Sequence, residues 1–295
     1  MMKETNYEII APTSVVKATL VCVHGMQEHR GRYLSFANAL AKENIAVLIY
    51  DLPGHGKGSK GSMGFFASHN GDQVMVESID SMVKKMEEVY PDVPHFLFGH
   101  SMGSILTRLY LQQNDQLNGV ILCGAPNYQA AAYFGKVLAN ILIALQGERK
   151  SAPILTELTL GPFSKAVPNS TCNLDWLSYS KTNIENYLQD SLCGVPFTNV
   201  GYRDLYTMIT RLHQPYNSTN KNLPILFISG QDDPCTGGAK GLADSIHTLE
   251  KSQYCNIKNI IYPKMRHEIL NEDDRQIVID DILDFILKNL AAQSQ

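Results

Sequence analysis

The sequence predicts a mostly parallel, doubly wound α/β sheet with an inserted helical cap, and three observations carry that prediction. Apolar runs at 7–10, 18–23, 45–50, 95–98, 118–123, 225–229 and 257–262 are mostly continuous in Val, Ile, Leu and Phe. Continuous runs mark strands covered on both faces, as parallel strands are. Between them recur segments of helical period, among them Val74-Ile79-Met82-Val83-Met86, with Asp72 as the expected N-cap, and Val278-Ile282-Phe285-Ile286. From about residue 127 to 222 the alternation stops, over a stretch too long for a bare connection and carrying helical rather than strand signals. The expected organisation is a core of residues 1–126 and 223–295 interrupted by a cap at 127–222. With 295 residues and 44 % hydrophobic content, the chain is large enough to bury one such core.

The fourth apolar run leads into chemistry. Phe96-Leu97-Phe98 is followed by Gly99-His100-Ser101-Met102-Gly103, and helical patterning continues over 105–113. A serine on a sharp strand-to-helix turn has a strained backbone that holds its hydroxyl clear of the sheet edge, with a helix N-terminus behind it. Side chains at 99 or 103 would strike the neighbouring elements as the chain reverses, which is why both positions are glycine. Ser101 is therefore the candidate nucleophile.

A serine so placed needs an oxyanion hole from an earlier loop, then an acid and a histidine later in the chain. The 18–23 run ends in His24-Gly25-Met26, where the glycine lets the loop turn beneath a substrate and the Met26 N–H can face a developing oxyanion. The Met102 N–H, directly after the serine, is the second candidate donor. Asp51-Leu52-Pro53-Gly54-His55-Gly56, after the third run, reads as a tight turn supporting the His24-Gly25 loop. The 225–229 run is followed by Gly230-Gln231-Asp232-Asp233-Pro234, where spacing leaves Asp232 and Asp233 both open as the acid. Of nine histidines only His247 and His267 come later, and His247 lies within the helical pattern Leu242, Ile246, Leu249. His267, on the loop after 257–262, is the candidate base.

Within the cap, apolar residues recur at 134, 137, 138, 141, 142 and 145, one face of a helix too short and too interrupted by Lys136 and Asn140 to span a bilayer. Three readings of that face stay open: packing of the cap on the core, lining of an acyl pocket, and transient contact with a membrane surface. The pocket reading makes Phe134, Val137, Leu138, Ile141 and Leu142 the candidate substrate-binding residues. Trp176, the single tryptophan, reads as cap core.

These segments resemble the α/β-hydrolase superfamily, in its monoacylglycerol lipase and lysophospholipase-like branch, often labelled serine aminopeptidase S33. The resemblance runs from His24 to Glu272. It is carried by His24-Gly25-Met26-Gln27-Glu28-His29-Arg30-Gly31-Arg32-Tyr33, the Asp51 to Gly56 loop, the Ser101 turn, Ser229-Gly230-Gln231-Asp232-Asp233-Pro234 and Arg266-His267-Glu268-Ile269-Leu270-Asn271-Glu272. The resemblance places the triad acid at Asp233. It implies hydrolysis of a carboxylic ester through a covalent acyl-enzyme, with no metal or organic cofactor and with a small ester or lipid as partner. Gln27 departs from the small residue of many relatives, which narrows the entrance while leaving the Met26 backbone free. Arg32 and Tyr33 read equally as head-group contacts or helix anchors, and Glu268 and Glu272 as props of the histidine loop or solvent-facing charges. Two other readings are a proline-iminopeptidase-like aminopeptidase, for which the cap carboxylates Glu148, Glu157 and Glu185 are candidates, and a non-catalytic ligand-binding module.

A net charge of −4, with Lys/Arg clusters no longer than pairs such as Lys84-Lys85, argues against nucleic-acid binding. Met1 to Tyr7 has no apolar segment after its lysine, so no secretory signal is expected and a cytoplasmic location is. The six cysteines lack C-x-x-C or zinc spacing and are expected as reduced thiols, with Cys235 at the rim of the candidate site.

Overall fold

The computed structural model describes residues 6–59 and 61–293; residues 1–5, which enter the reading of the N-terminal segment, lie outside the described residues. Seven strands form one sheet: β1 Tyr7–Ile10, β2 Ala18–Val23, β3 Ile45–Tyr50, β4 His95–His100, β5 Gly119–Cys123, β6 Ile225–Gly230 and β7 Ile257–Tyr262. Their order is β1-β3-β2-β4-β5-β6-β7, and every pairing except β1 with β3 is parallel. The continuous apolar runs follow from this layering. In β3, Ala46, Leu48 and Tyr50 face one hydrophobic cluster while Ile45, Val47 and Ile49 face the other.

Helices α1 Leu34–Lys42 and α9 Arg275–Gln293 cover one face of the sheet, through Phe36, Leu40, Ile282 and Ile286. Helices α2 Gly71–Val89, α3 Met102–Leu111 and α8 Gly238–Lys251 cover the other, through Met75, Ile79, Leu106 and Leu249. The starts of two helices differ from those expected. Asp72 is not the N-cap of α2: that position is Asn70, and Asp72 lies in the first turn, paired with Arg211 Nη1 at 2.5 Å. The helix expected over 105–113 begins earlier, because its first turn, Met102-Gly103-Ser104, serves the reversal and shows no apolar period.

Between β5 and β6 stand α4 Ala132–Gln146, α5 Pro153–Ala166, α6 Lys181–Gln189 and α7 Asn199–Arg211. Helix α4 lies along α7 with its small residues Ala132, Gly135 and Ala139 buried. A Cβ on Gly135 would lie 2.7 Å from the Tyr206 ring, so the two helix axes approach only where side chains are minimal. That packing turns much of the apolar stripe read from the sequence outward: Phe134 is 80 % exposed and Leu145 77 %. Replacing Gly135 with Val should displace Tyr206 and cost about 2 kcal/mol, lowering the thermal midpoint by roughly 5 °C. Val137→Ala, on the outward face, should stay within about 0.5 kcal/mol of wild type; calorimetry of the two variants checks this.

Candidate active site

Strand β4 runs directly into Ser101, and α3 begins at the next residue. Ser101 adopts φ 52° and ψ −119°, a costly backbone conformation for a residue with a Cβ. Its N–H donates to the Cys123 oxygen at 2.9 Å, and Ser104 Oγ donates to its carbonyl at 2.7 Å. The two glycines make the reversal possible. A Cβ on Gly99 would lie 2.5 Å from the Gly103 oxygen, and one on Gly103 would lie 2.6 Å from the His24 oxygen.

His267 stands in the loop after β7, with Nδ1 2.9 Å from Asp233 Oδ2 and both side chains almost fully buried. Gly124, at φ 53°, passes beside this pair, where a Cβ would lie 3.0 Å from His267 Nδ1. Asp232 is exposed instead, and its carboxylate accepts the Tyr179 hydroxyl at 2.9 Å. Nε2 of His267 is buried without a partner among the described residues. The Cys235 thiol lies near the Asp233–His267 pair, its sulfur within 4.8 Å of a carboxylate oxygen of Asp233 and a ring nitrogen of His267. Burial pushes that thiol well above its usual pKa, and the Asp233 charge adds to the rise. Trp176, read as cap core, is buried but packs on the imidazole, with ring centroids 5.0 Å apart.

Neither the Met26 nor the Met102 N–H donates to a carbonyl among the described residues. The Met26 loop is held by a buried charge network. Glu28 Oε1 accepts from the Gly25 N–H at 2.5 Å and from the Tyr33 hydroxyl at 2.7 Å, while Oε2 meets Arg32 Nη1 at 3.1 Å. Arg32 also donates to both oxygens of Glu268, beside His267, and to Oδ1 of Asn183 on α6 at 2.8 Å. One guanidinium thus joins the Met26 loop, the histidine loop and the cap. Burial works to raise the Glu28 pKa, but the His100 hydrogen bond and the Arg32 charge overcome it and hold the carboxyl well below the usual range. Glu272 is also buried and fixes the histidine loop, accepting from Arg266 N at 2.9 Å and Ser178 Oγ at 2.7 Å. Burial pushes His55 down to about 3 and lowers His24 as well, so these two imidazoles stay neutral and brace the turn, with His24 Nε2 accepting from Leu52 N.

A cavity of about 780 Å³ opens over Ser101 and His267, between core and cap. Its walls are mostly apolar. Of the five candidate substrate residues, Phe134 and Leu138 line it; Val137, Ile141 and Leu142 do not. The reason is the α4 packing: Val137 and Ile141 lie on the outward stripe, and Leu142 packs against the core cluster. Sequence reasoning missed the contribution of α5 and α7, which supply Leu158, Phe163, Leu205 and Ile209. Pro162 interrupts the α5 pattern, and α7 is polar on average, so neither announced a pocket.

Among the described residues, two groups could each offer three metal-ligand atoms within 4.8 Å, namely His29, Asp190 and Cys193, and Asp233, Cys235 and His267. In the first, His29 already uses both ring nitrogens, on Asp190 and on the Gly31 N–H. In the second, the acid and the imidazole bond each other.

The family described as serine aminopeptidase S33 matches residues 14–274. The chain belongs to this family. The human monoglyceride lipase is 31 % identical over 266 residues, covering 88 % of this chain and 78 % of that protein. The monoacylglycerol lipase of Mycolicibacterium smegmatis is 24 % identical over 291 residues, covering 96 % and 93 %. Among solved structures, a thermostable carboxyl esterase from Bacillus coagulans superposes with a TM-score of 0.88 at 25 % identity, covering 96 % of this chain and 94 % of the other. The fold is that of the α/β-hydrolases, and the chain is a serine ester hydrolase of the monoacylglycerol lipase-like branch.

The depressed Glu28 pKa has a pH signature. A carboxyl held below its unfolded value of 4.5 adds stability that is fully present above that pH and is lost as pH falls toward the folded value. Glu28→Gln should therefore lower the thermal midpoint most at pH 7, with the gap to wild type closing below about pH 4. Calorimetry of both proteins from pH 7 to pH 3 checks it; a gap that does not narrow would contradict the network's charge.

Proposed function

We propose that the protein hydrolyses monoacylglycerols through a Ser101, His267 and Asp233 triad and an acyl-enzyme. The observation that carries this reading is the buried Asp233–His267 pair, in which His267 lines the cavity over Ser101 and its Nε2 has no partner among the described residues. In the reaction, the Ser101 hydroxyl gives its proton to His267 Nε2 as Oγ attacks the ester carbon. The Met26 and Met102 amides take the oxyanion, and Asp233 stabilises the charged imidazole. Collapse expels the alcohol, which receives the proton from His267. Water then attacks the acyl-enzyme with His267 again as base, releasing a fatty acid and restoring Ser101.

Charge favours a neutral lipid. Among the described residues no Lys or Arg lines the cavity, and Glu268 does, so a lysophospholipid phosphate would enter without a counter-charge. The names of the human and mycobacterial relatives agree with a monoacylglycerol. An aminopeptidase would need a carboxylate for the substrate's amino group. Glu268 is already engaged by Arg32 and Asn183, and Glu148, Glu157 and Glu185 do not line the cavity.

The outward apolar stripe of α4, together with Ile154 and Leu158 of α5, is suited to rest on a lipid surface from which substrate enters. Among the described residues no helix is long and apolar enough to cross a membrane. The free thiols fit a reducing, cytoplasmic compartment.

The test is a panel of p-nitrophenyl esters of graded length, monoacylglycerols and lysophospholipids. Ser101→Ala should lose about 10⁴-fold or more in kcat and all fluorophosphonate labelling. Asp233→Asn should lose roughly 10⁴-fold, whereas Asp232→Asn should retain most activity; the reverse order would remove the acid assignment. Chain length provides the second check, since each buried methylene contributes up to about 0.8 kcal/mol. Decanoyl esters should exceed acetyl esters in kcat/KM by one to two orders of magnitude, roughly the effect of a few methylenes. Leu138→Asp should erase that preference. Ile141→Asp, outside the cavity, should keep it and instead reduce sedimentation with neutral lipid vesicles.

A further inference from the structure

Two residues that line the cavity over Ser101 each have a buried side-chain nitrogen without a hydrogen-bond partner among the described residues: His267, the proposed base, at Nε2, and Gln27 at Nε2. The other polar side chains of the wall are engaged. Tyr187 donates its hydroxyl to the Gln27 carbonyl oxygen at 2.9 Å, Gln129 donates to Asn127, Thr159 donates to the Leu155 oxygen, and Glu268 accepts from Arg32 and Asn183. Gln27 itself is only 7 % exposed. Its backbone is fixed at φ 57°, with its carbonyl accepting from the Gly194 N–H at 2.9 Å as well as from Tyr187. A rigidly held residue of the cavity wall therefore carries a buried carboxamide nitrogen without a partner among the described residues.

Its location says which part of the substrate it meets. Gln27 follows the proposed oxyanion donor Met26 and is clamped by Tyr187, which packs in one cluster with Trp176. Trp176 in turn lies on the His267 ring. Gln27 thus belongs to the histidine end of the cavity, where the leaving alcohol must be protonated. The other end, walled by Leu138, Leu205 and Ile209 of α4 and α7, is apolar and suits the acyl chain.

We propose that the Gln27 carboxamide donates a hydrogen bond to a hydroxyl of the substrate's alcohol portion and so selects glycerol esters over esters of simple alkanols. The inference rests on the monoacylglycerol reading of the same site and adds its specificity determinant. A donor buried without a partner is costly, and a substrate hydroxyl that satisfies it removes that cost, whereas a bare alkyl group leaves it in place.

The experiment compares kcat/KM for 1-decanoylglycerol with that for propyl decanoate, below their aggregation thresholds, in wild type and Gln27→Met. Methionine preserves the length and bulk of glutamine and removes the amide. Wild type should favour the glycerol ester at least about tenfold, and Gln27→Met should bring the ratio down to within about twofold. The variant should also melt at a higher temperature without substrate, because its unpaired donor is gone. Fluorophosphonate labelling of the variant at the wild-type rate shows that Ser101 and His267 are undisturbed. A wild-type ratio near one overturns the proposal without any variant, while ester hydrolysis itself stands. A ratio unchanged in Gln27→Met also overturns it, assigning Gln27 to space-filling alone. Failure of wild type to hydrolyse either ester removes the monoacylglycerol reading, and this inference with it.

Discussion

The reversal at Ser101 is the constraint on which the rest of the site depends. A residue with a Cβ holds a positive φ between β4 and α3, and it does so because Gly99 and Gly103 allow backbone to meet backbone across the turn. The same closeness brings the His24 carbonyl, at the root of the Met26 loop, against α3. Serine and proposed oxyanion donors are therefore parts of one rigid contact. The parallel order of β2, β4, β5, β6 and β7 then places the ends of five strands side by side, so the Asp233 and His267 loops arrive at the same edge.

The buried Arg32 is the second organising element. It joins Glu28, behind the Met26 loop, to Glu268, beside His267, and reaches Asn183 of the cap. A paired and fully hydrogen-bonded buried charge gives little net stability, but loss of one partner leaves another uncompensated. The network therefore couples three segments that must keep register for the chemistry proposed here. Cap and core are tied at the site itself, through Tyr187 and Gly194 on the Gln27 carbonyl and Trp176 on His267.

Much of this was legible in the sequence because it rests on backbone geometry. Buried parallel strands write continuous apolar runs, and a tight reversal writes glycine on both sides of Ser101. Asp233 and Asp232 were inseparable by spacing, since only the turn after β6 decides which carboxylate faces inward. The α4 stripe misled for a related reason. Hydrophobic period identifies an apolar face but not what covers it, and here Gly135 against Tyr206 determined that the small-residue face was the packed one. Residues 137 and 141 were consequently turned away from the cavity, while α5 and α7 supplied walls that no periodicity had marked. The Arg32 network left only single charged residues in the sequence, with partners up to 236 positions apart.

In the proposed reaction one cavity holds an ester with its carbonyl on Ser101, its acyl chain among α4, α5 and α7, and its alcohol at the histidine end. The most direct measurement is a crystal structure of the enzyme reacted with the glyceryl p-nitrophenyl diester of decylphosphonic acid, whose p-nitrophenolate leaves as Ser101 Oγ bonds to phosphorus to give an analogue of the tetrahedral intermediate. Phosphorus is expected on Ser101 Oγ, with a phosphoryl oxygen within hydrogen-bond distance of the Met26 and Met102 amides and the decyl chain beside Leu138 and Leu205. Phosphorus on Cys235, or a decyl chain directed past Gln27 and Tyr187, would contradict that arrangement.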